Sequence, residues 1–250
     1  MKPMRNSSRI LGLLALCFGF LLCAGCMEDS FIKAKVKSPI VSDSLLGSAS
    51  VGKVDGGEFV KEGWKPGAAG KLIYDLPGMT QGLIVFEAKG LDRSAKNSTF
   101  FSLYEPTDLG DYADPYVLFN PYRVALTLNS YPKPAFDFLW TIKKFPAAAA
   151  PIDHYVKGLP EGVEGIETVV TSSDVPLFPD QVYKISIAWS MGEATLRLGG
   201  QTVAVVKYAP RLYDAQSLRA VFGRSPGMDE LDLKNLVISN IAITFPGMAK

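Results

Sequence analysis

The stretch Val182-Tyr-Lys-Ile-Ser-Ile-Ala-Trp-Ser-Met-Gly-Glu-Ala-Thr-Leu-Arg-Leu-Gly-Gly-Gln-Thr-Val-Ala-Val-Val-Lys-Tyr208 decides the fold. Tyr183, Ile185, Ile187 and Trp189 fall on one side of an extended chain, and Lys184, Ser186 and Ser190 on the other, the period of two of a half-buried strand. Met191 and Gly192 break the pattern. Alternation resumes with Ala194, Leu196 and Leu198 against Glu193, Thr195 and Arg197, until Gly199 and Gly200 supply the positive φ angles of a two-residue hairpin turn. Gln201 to Tyr208 returns as a third strand. Three strands joined by tight turns form an antiparallel meander, and a meander with one apolar face needs a second sheet over it. The fold class expected is all-β, an antiparallel two-sheet β-sandwich.

Outward from this meander, short strands are expected at Glu58 to Lys61, Leu72 to Leu76, Leu83 to Lys89, Thr99 to Tyr104, Val124 to Ser130 and Phe136 to Lys143. The last two pair as a hairpin across Tyr131 to Pro134, and each strand is expected to keep one wet face. Pro146 to Pro179 reads as an insertion or an irregular crossover, with one strand at Ile166 to Thr171. The closing strand, Leu233 to Phe245, alternates through Leu236 and Ile238 and then changes phase to Ile241, Ile243 and Phe245, which a β-bulge near Ser239 explains.

The chain of 250 residues is 48% hydrophobic, and its 17 prolines and 23 glycines punctuate apolar runs rather than mass in one linker, so a single ordered domain over residues 57–250 is expected. Lys2, Arg5 and Arg9 precede an apolar run from Ile10 to Leu22, followed by Cys23, Ala24, Gly25 and Cys26. Residues 1–25 are therefore read as a signal peptide, since the run is short for a bilayer span and small residues directly before a cysteine suit cleavage. This start resembles the bacterial lipobox, with Cys23 where leucine is usual, and the resemblance implies lipid on Cys26. Residues 26–56 show no sustained period and are read as lipidated cysteine plus flexible tether. Met27 after that cysteine implies, by the same resemblance, delivery to the outer membrane of a bacterial cell envelope. The three cysteines are Cys17, Cys23 and Cys26, so no disulfide is expected in residues 57–250. Removing residues 1–25 takes three basic and no acidic residues from 26 basic and 25 acidic ones, leaving 23 against 25 and no basic excess to attract nucleic acid.

Three pieces occur in an order similar to that of the concanavalin A-like lectin and glucanase superfamily: Gly82-Leu-Ile-Val-Phe-Glu-Ala-Lys, then Tyr183-Lys-Ile-Ser-Ile-Ala-Trp with the glycine hairpin, then Val221-Phe-Gly with the closing strand. The resemblance spans roughly Gly57 to Phe245 and implies a jelly roll. It carries a fold, not an activity.

Glucan-cleaving enzymes of that superfamily carry a Glu-x-Asp-x-Glu type signature, whose carboxylates act as nucleophile and acid/base about 5 Å apart. The nearest match, Glu230-Leu-Asp-Leu-Lys-Asn, supplies Glu230 and Asp232 but puts Lys234 and Asn235 where the third carboxylate belongs, so it is read as a polar lead-in to the last strand. His154 is the single histidine, and with no thiol beyond Cys26 it is read as a surface-loop residue. Glu105, Asp108, Asp111 and Asp114 recur every three residues in a glycine- and proline-marked loop. That loop is read as solvated, with calcium as the alternative, and no cofactor is expected.

Ten of the 24 Phe and Tyr residues lie between Phe100 and Trp140, where an even spread would put about four. Phe136, Phe138 and Trp140 share the apolar face of one strand, and Phe100, Phe101 and Tyr104 belong to another. Tyr112, Tyr116 and Tyr122 fall instead among Asp111, Asp114, Asn120 and Arg123, where prolines break the period. Amphipathic rings beside carboxylate, amide and guanidinium groups suit a sugar, so these residues with Trp140 form the candidate ligand site; a loop whose tyrosines cap the sandwich edge is the alternative. The expected function is binding of a polysaccharide or other glycan without catalysis by a membrane-tethered lipoprotein. A structural or adaptor lipoprotein contacting another envelope protein is the rival, and a glycan-cleaving enzyme the third reading.

Overall fold

Short alternating runs bounded by turn residues become strands along the whole described chain. A computed structural model describes residues 40–79, 81–96, 98–104, 106, 124–129, 134–144, 165–190, 192–207, 217–225 and 230–245, with the backbone alone at 129, 141–144 and 165–168. These residues belong to one unit, Pro39–Phe245. In chain order their strands are β1 (Val41–Asp43), β2 (Lys53–Asp55), β3 (Glu58–Val60), β4 (Gly63–Lys65), β5 (Lys71–Pro77), β6 (Gly82–Lys89), β7 (Ser98–Tyr104), β8 (Val124–Asn129), β9 (Ala135–Lys144), β10 (Gly165–Ser173), β11 (Tyr183–Ser190), β12 (Glu193–Leu198), β13 (Gln201–Lys207), β14 (Ser217–Gly223) and β15 (Val237–Thr244). No helix occurs among the described residues.

The strands form two sheets. The eight-stranded sheet runs β13-β12-β11-β6-β15-β4-β3, with β1 also paired to β15; the seven-stranded sheet runs β10-β9-β8-β7-β14-β5-β2. All these pairings are antiparallel. The meander is present as expected, with Tyr183, Ile185, Ile187 and Trp189 buried in β11 and Gly199 and Gly200 at φ 59° and 87° in the β12–β13 turn. Register slips between Ser239 and Ala242, where Asn240 takes φ 51°, so the bulge in the last strand is real.

The core lies between the sheets. Phe86 of the eight-stranded sheet meets Phe222 at 5.0 Å, edge-on, and Phe101 at 5.6 Å, both from the seven-stranded sheet. Aromatic rings each bury a large apolar area, and such offset and edge contacts add about 1 kcal/mol per pair beyond it. Trp140 stands 6.2 Å from Trp189 across the same core and 6.2 Å from Phe138.

Three expectations need correction. Residues 41–55, placed in the tether, supply β1 and β2, which join different sheets. Their runs are three residues each, too short to show a period; pairing to β15 and β5 makes them strands. The closing strand begins at Val237 rather than Leu233, because Leu231, Leu233 and Leu236 bury themselves in an irregular approach to the core. The wet face fails for β7: every residue of it is buried, including those that alternate away from the core. Alternation marks which side chains share a face; it does not say whether that face meets water.

Candidate functional site

The sequence-based site divides at once. Trp140 lies in the core cluster between the sheets, 5% exposed, so its ring is packing and not a ligand platform, which corrects that assignment. Alternation already set Trp140 on the face of Phe138, and packing against Trp189 at 6.2 Å decides that this face is core. Asp111, Tyr112, Asp114, Tyr116, Asn120, Tyr122 and Arg123 lie outside the described residues, as do Cys26, Glu105, Asp108 and His154. Asp232 accepts the Lys96 backbone N–H at 3.1 Å, and its own N–H donates to Ser98 Oγ at 3.0 Å, ahead of the last strand as a polar lead-in would be. Among the described residues no group of three or more His, Cys, Asp and Glu is arranged to hold a metal.

A different constellation emerges on the outer face of the seven-stranded sheet. Phe136, Phe138 and Trp140 point into the core from β9, so Asp137 and Leu139 point out. By the same alternation Ser102 and Tyr104 point out from β7, Ala125 and Thr127 from β8, and Arg219 and Val221 from β14. Tyr104, Ala125 and Val221 are buried yet stand apart from the core cluster, in keeping with that outward side. Register sets them in rows: Val221, Ser102, Ala125, Leu139 and Val170 in one, Thr99, Thr127, Asp137 and Ser172 in the next.

Burial fades toward β10. Ser102 is 1% and Asp137 7% exposed, Thr127 and Leu139 are half-buried, and Val170 and Ser172 are open. The polar groups of this face differ in what they have to bond. Thr99 and Thr127 hold each other, hydroxyl to hydroxyl, at 2.8 Å. Arg219 Nε donates to Asp75 Oδ1 at 2.6 Å at the far end. Ser102 Oγ and Asp137 Oδ1 have no hydrogen-bond partner. Buried polar atoms are nearly always satisfied, and an orphan carboxylate or hydroxyl costs about 1–3 kcal/mol, so these two atoms, closed off from solvent, are a standing cost on this face. Sequence pattern gave Asp137 a wet face, and a solvated aspartate raises no question; its burial in the tertiary structure does.

A second buried carboxylate shows the opposite economy. Asp43, at the end of β1 and 2% exposed, accepts the backbone N–H of Ser50 at 3.1 and 3.2 Å, of Val51 and Gly52 at 3.3 Å each, and the hydroxyl of Tyr74 at 3.0 Å. Burial alone would raise its pKa, but the three N–H groups and the phenol favour the anion and hold it below the usual 3.8. Tyr74 moves the other way, its proton held tightly by burial and by the Asp43 charge. A Cβ on Gly52 would stand 2.5 Å from Leu72 Cδ1 and 2.7 Å from Tyr74 Cζ, so only glycine lets the loop close on the carboxylate. This clasp fastens β1 of one sheet to Tyr74 of the other.

No protein-family model matches this chain, and no curated protein does. Solved structures do resemble it. The CBM2 module of the evolved Dit of Lactobacillus casei BL23 phage J-1 is 9% identical with a TM-score of 0.51, over 86% of this chain and 99% of that one. The carbohydrate recognition domain of Emp47p is 8% identical with a TM-score of 0.48, over 86% and 98%. The exoplasmic/lumenal domain of VIP36, in a Ca2+/Man3GlcNAc-bound form, is 14% identical with a TM-score of 0.46, over 83% and 89%. At such identities the likeness is one of fold. With two antiparallel sheets packed face to face around one core, the described chain is a β-sandwich of the concanavalin A-like jelly-roll class.

Proposed function

We propose that this chain is a lipid-tethered envelope protein whose sandwich binds a glycan on the outer face of the seven-stranded sheet, without cleaving it. The observation that carries the reading is the likeness of this sandwich to the CBM2 module over 86% of the chain, together with the open β10 margin of this face, where Val170 and the Ser172 hydroxyl are exposed beside the half-buried Leu139. A sugar offers that combination of hydroxyl donors and acceptors with apolar ring faces. Binding rather than hydrolysis is supported by spacing. The outward carboxylates of Asp137 and Asp75 lie four strands apart, roughly 19 Å by strand spacing, and Asp75 is paired with Arg219. A hydrolytic pair needs about 5–9.5 Å. An adaptor role is the second reading, favoured by Phe178 and Val182, both more than half exposed around one turn.

The test is retention of the detergent-solubilised full chain on a panel of immobilised polysaccharides. Wild type is expected to be held by at least one, and Leu139→Arg, which fills the face without touching the core, to lose retention with its melting temperature unchanged. Retention by no polysaccharide would favour the adaptor. The tether is tested separately: radiolabelled palmitate is expected on the wild type and absent from Cys26→Ser, and label persisting in that variant would end the lipoprotein reading.

A further inference from the structure

At the start of the described chain Val41, Asp43 and Leu45 turn into the fold, and the side chains around them stay outside. We propose that this margin, formed by Ile40, Leu46, Val51 and Lys53, rests on the surface of an anionic phospholipid bilayer, an inference that rests on the lipid-tether reading and gives the sandwich a fixed side toward the membrane.

Alternation carries Ile40, Ser42 and Ser44 outward from β1. It then breaks. Leu45 takes φ 60° and Gly47 φ 88°, and Leu46, next to a wholly buried leucine, is 61% exposed. A leucine holds a positive φ only where its surroundings over-determine it. Here the Asp43 clasp does so, since its carboxylate accepts the N–H groups of Ser50, Val51 and Gly52, and the Ser44 carbonyl accepts the Asn240 N–H at 3.3 Å. Leu46 and the 60% exposed Val51 thus project from a braced backbone, which has little order left to lose on contact with a partner. Ile40 stands at the other end of β1, its N–H on the Ile243 carbonyl at 2.7 Å. Single exposed apolar side chains are ordinary on a protein surface, but of the eight large ones among the described residues four, Ile40, Leu46, Val51 and Val54, fall within residues 40–54.

Charge and the point of chain entry name the occupant. From Ser30 to Lys53 the charged residues are Lys33, Lys35, Lys37, Asp43 and Lys53. The one acid is buried, its charge directed onto three N–H groups and the Tyr74 phenol, so the segment as a whole offers a partner positive charge. Acids on neighbouring strands are engaged: Asp75 with Arg219 at 2.6 Å, Glu87 with Asn240 Nδ2 at 2.7 Å, and Asp55 opposite Lys71 in register. Lysines beside aliphatic groups suit an anionic interface, where apolar side chains enter the headgroup boundary and ammonium groups meet phosphates. The chain enters the fold at Ile40, fourteen positions after Cys26, a length that reaches at most roughly 50 Å even fully extended. Lipid on Cys26 would hold this margin near the bilayer, and such confinement lets a few weak contacts orient the domain.

The chain's cysteines are Cys17, Cys23 and Cys26, so Leu46→Cys gives the described unit a single thiol for an environment-sensitive fluorophore. The control is Val205→Cys, also exposed but on β13, four strands from β15. Full chain as processed by cells is reconstituted in vesicles of phosphatidylethanolamine with about a quarter phosphatidylglycerol, part of the lipid carrying brominated acyl chains as quencher. Parent chain labelled in parallel sets the background. The probe at Leu46 is expected to be quenched at least about threefold more strongly than that at Val205, and about twofold less strongly when phosphatidylcholine replaces both lipids. Adding Val51→Asp should cut the Leu46 quenching to about half or less with the melting curve in place. Chain held on the vesicles with Leu46 no more quenched than Val205 would overturn the inference and leave the tether standing, whereas chain that does not associate with vesicles at all would remove both. Equal quenching in phosphatidylcholine would overturn the anionic partner. A blue shift at Leu46 that grows with protein concentration and is insensitive to brominated lipid would assign the margin to a second copy of this chain and overturn the bilayer.

Discussion

Among the described residues two aspartates are buried, Asp43 and Asp137, and their surroundings are opposite. Asp43 has three backbone N–H groups and a phenol directed at its oxygens; Asp137 has an oxygen with none. Both sit on strands near the margin of the fold, and both are removed from water. What separates them is whether the protein supplies the compensation itself. A carboxylate whose partners all come from its own chain is a fastening, and its removal is felt in stability. One left unmatched has no partner to lose, and its removal leaves stability nearly unchanged.

The largest expected effect therefore falls on Asp43. Asp43→Ala leaves four donors without their acceptor and should cost about 3 kcal/mol, which for a domain of this size lowers Tm by roughly 6–12 °C. Thermal melts decide it, and a loss of under about 1 kcal/mol would mean that water replaces the carboxylate at no cost. The same contrast has a pH signature. Because folding lowers the Asp43 pKa below 3.8, its contribution is present above that value and is lost as pH falls through the lower folded value. Melts of wild type and Asp43→Asn should accordingly be well separated at neutral pH and converge below about pH 4; a separation that persists to lower pH would show that the charge is not the source.

A smaller loss is expected for Tyr74→Phe, about 1.5 kcal/mol, the worth of one hydrogen bond to a charged group. Folding raises the Tyr74 pKa above 10.0, so this contribution is present below that pH and lost as pH climbs beyond it. Ultraviolet titration should show one tyrosine that stays protonated past the others until the chain unfolds, and simultaneous ionisation of all tyrosines would refute it. The smallest effect belongs to Asp137→Asn, within about 0.5 kcal/mol of wild type or slightly stabilising, since no partner within the chain is lost. Should it destabilise as much as Asp43→Ala, the two carboxylates play the same role and the comparison fails.

How far these features could be read in advance depended on the distance over which each is encoded. The meander was legible because Tyr183 to Val206 states its own alternation and Gly199-Gly200 its own turn. The slip near Ser239 was legible for the same reason. The clasp was not, since the Asp43 phenol partner lies 31 residues away and β1 and β2 are too short to carry a period. Trp140 was legible as a member of the Phe136–Phe138 face, but its partner Trp189 at 6.2 Å, which makes that face core, was not.

The sequence alone determined the longer alternating strands, the antiparallel sandwich and the faces that side chains share, because hydrophobic alternation and turn chemistry act between neighbours along the chain. The tertiary structure alone decided which of those faces lost its water, which buried carboxylate found partners and which did not. Burial and hydrogen-bond satisfaction belong to the packed molecule: Ser102, Asp43 and Asp137 are ordinary polar residues until strands distant in sequence close around them.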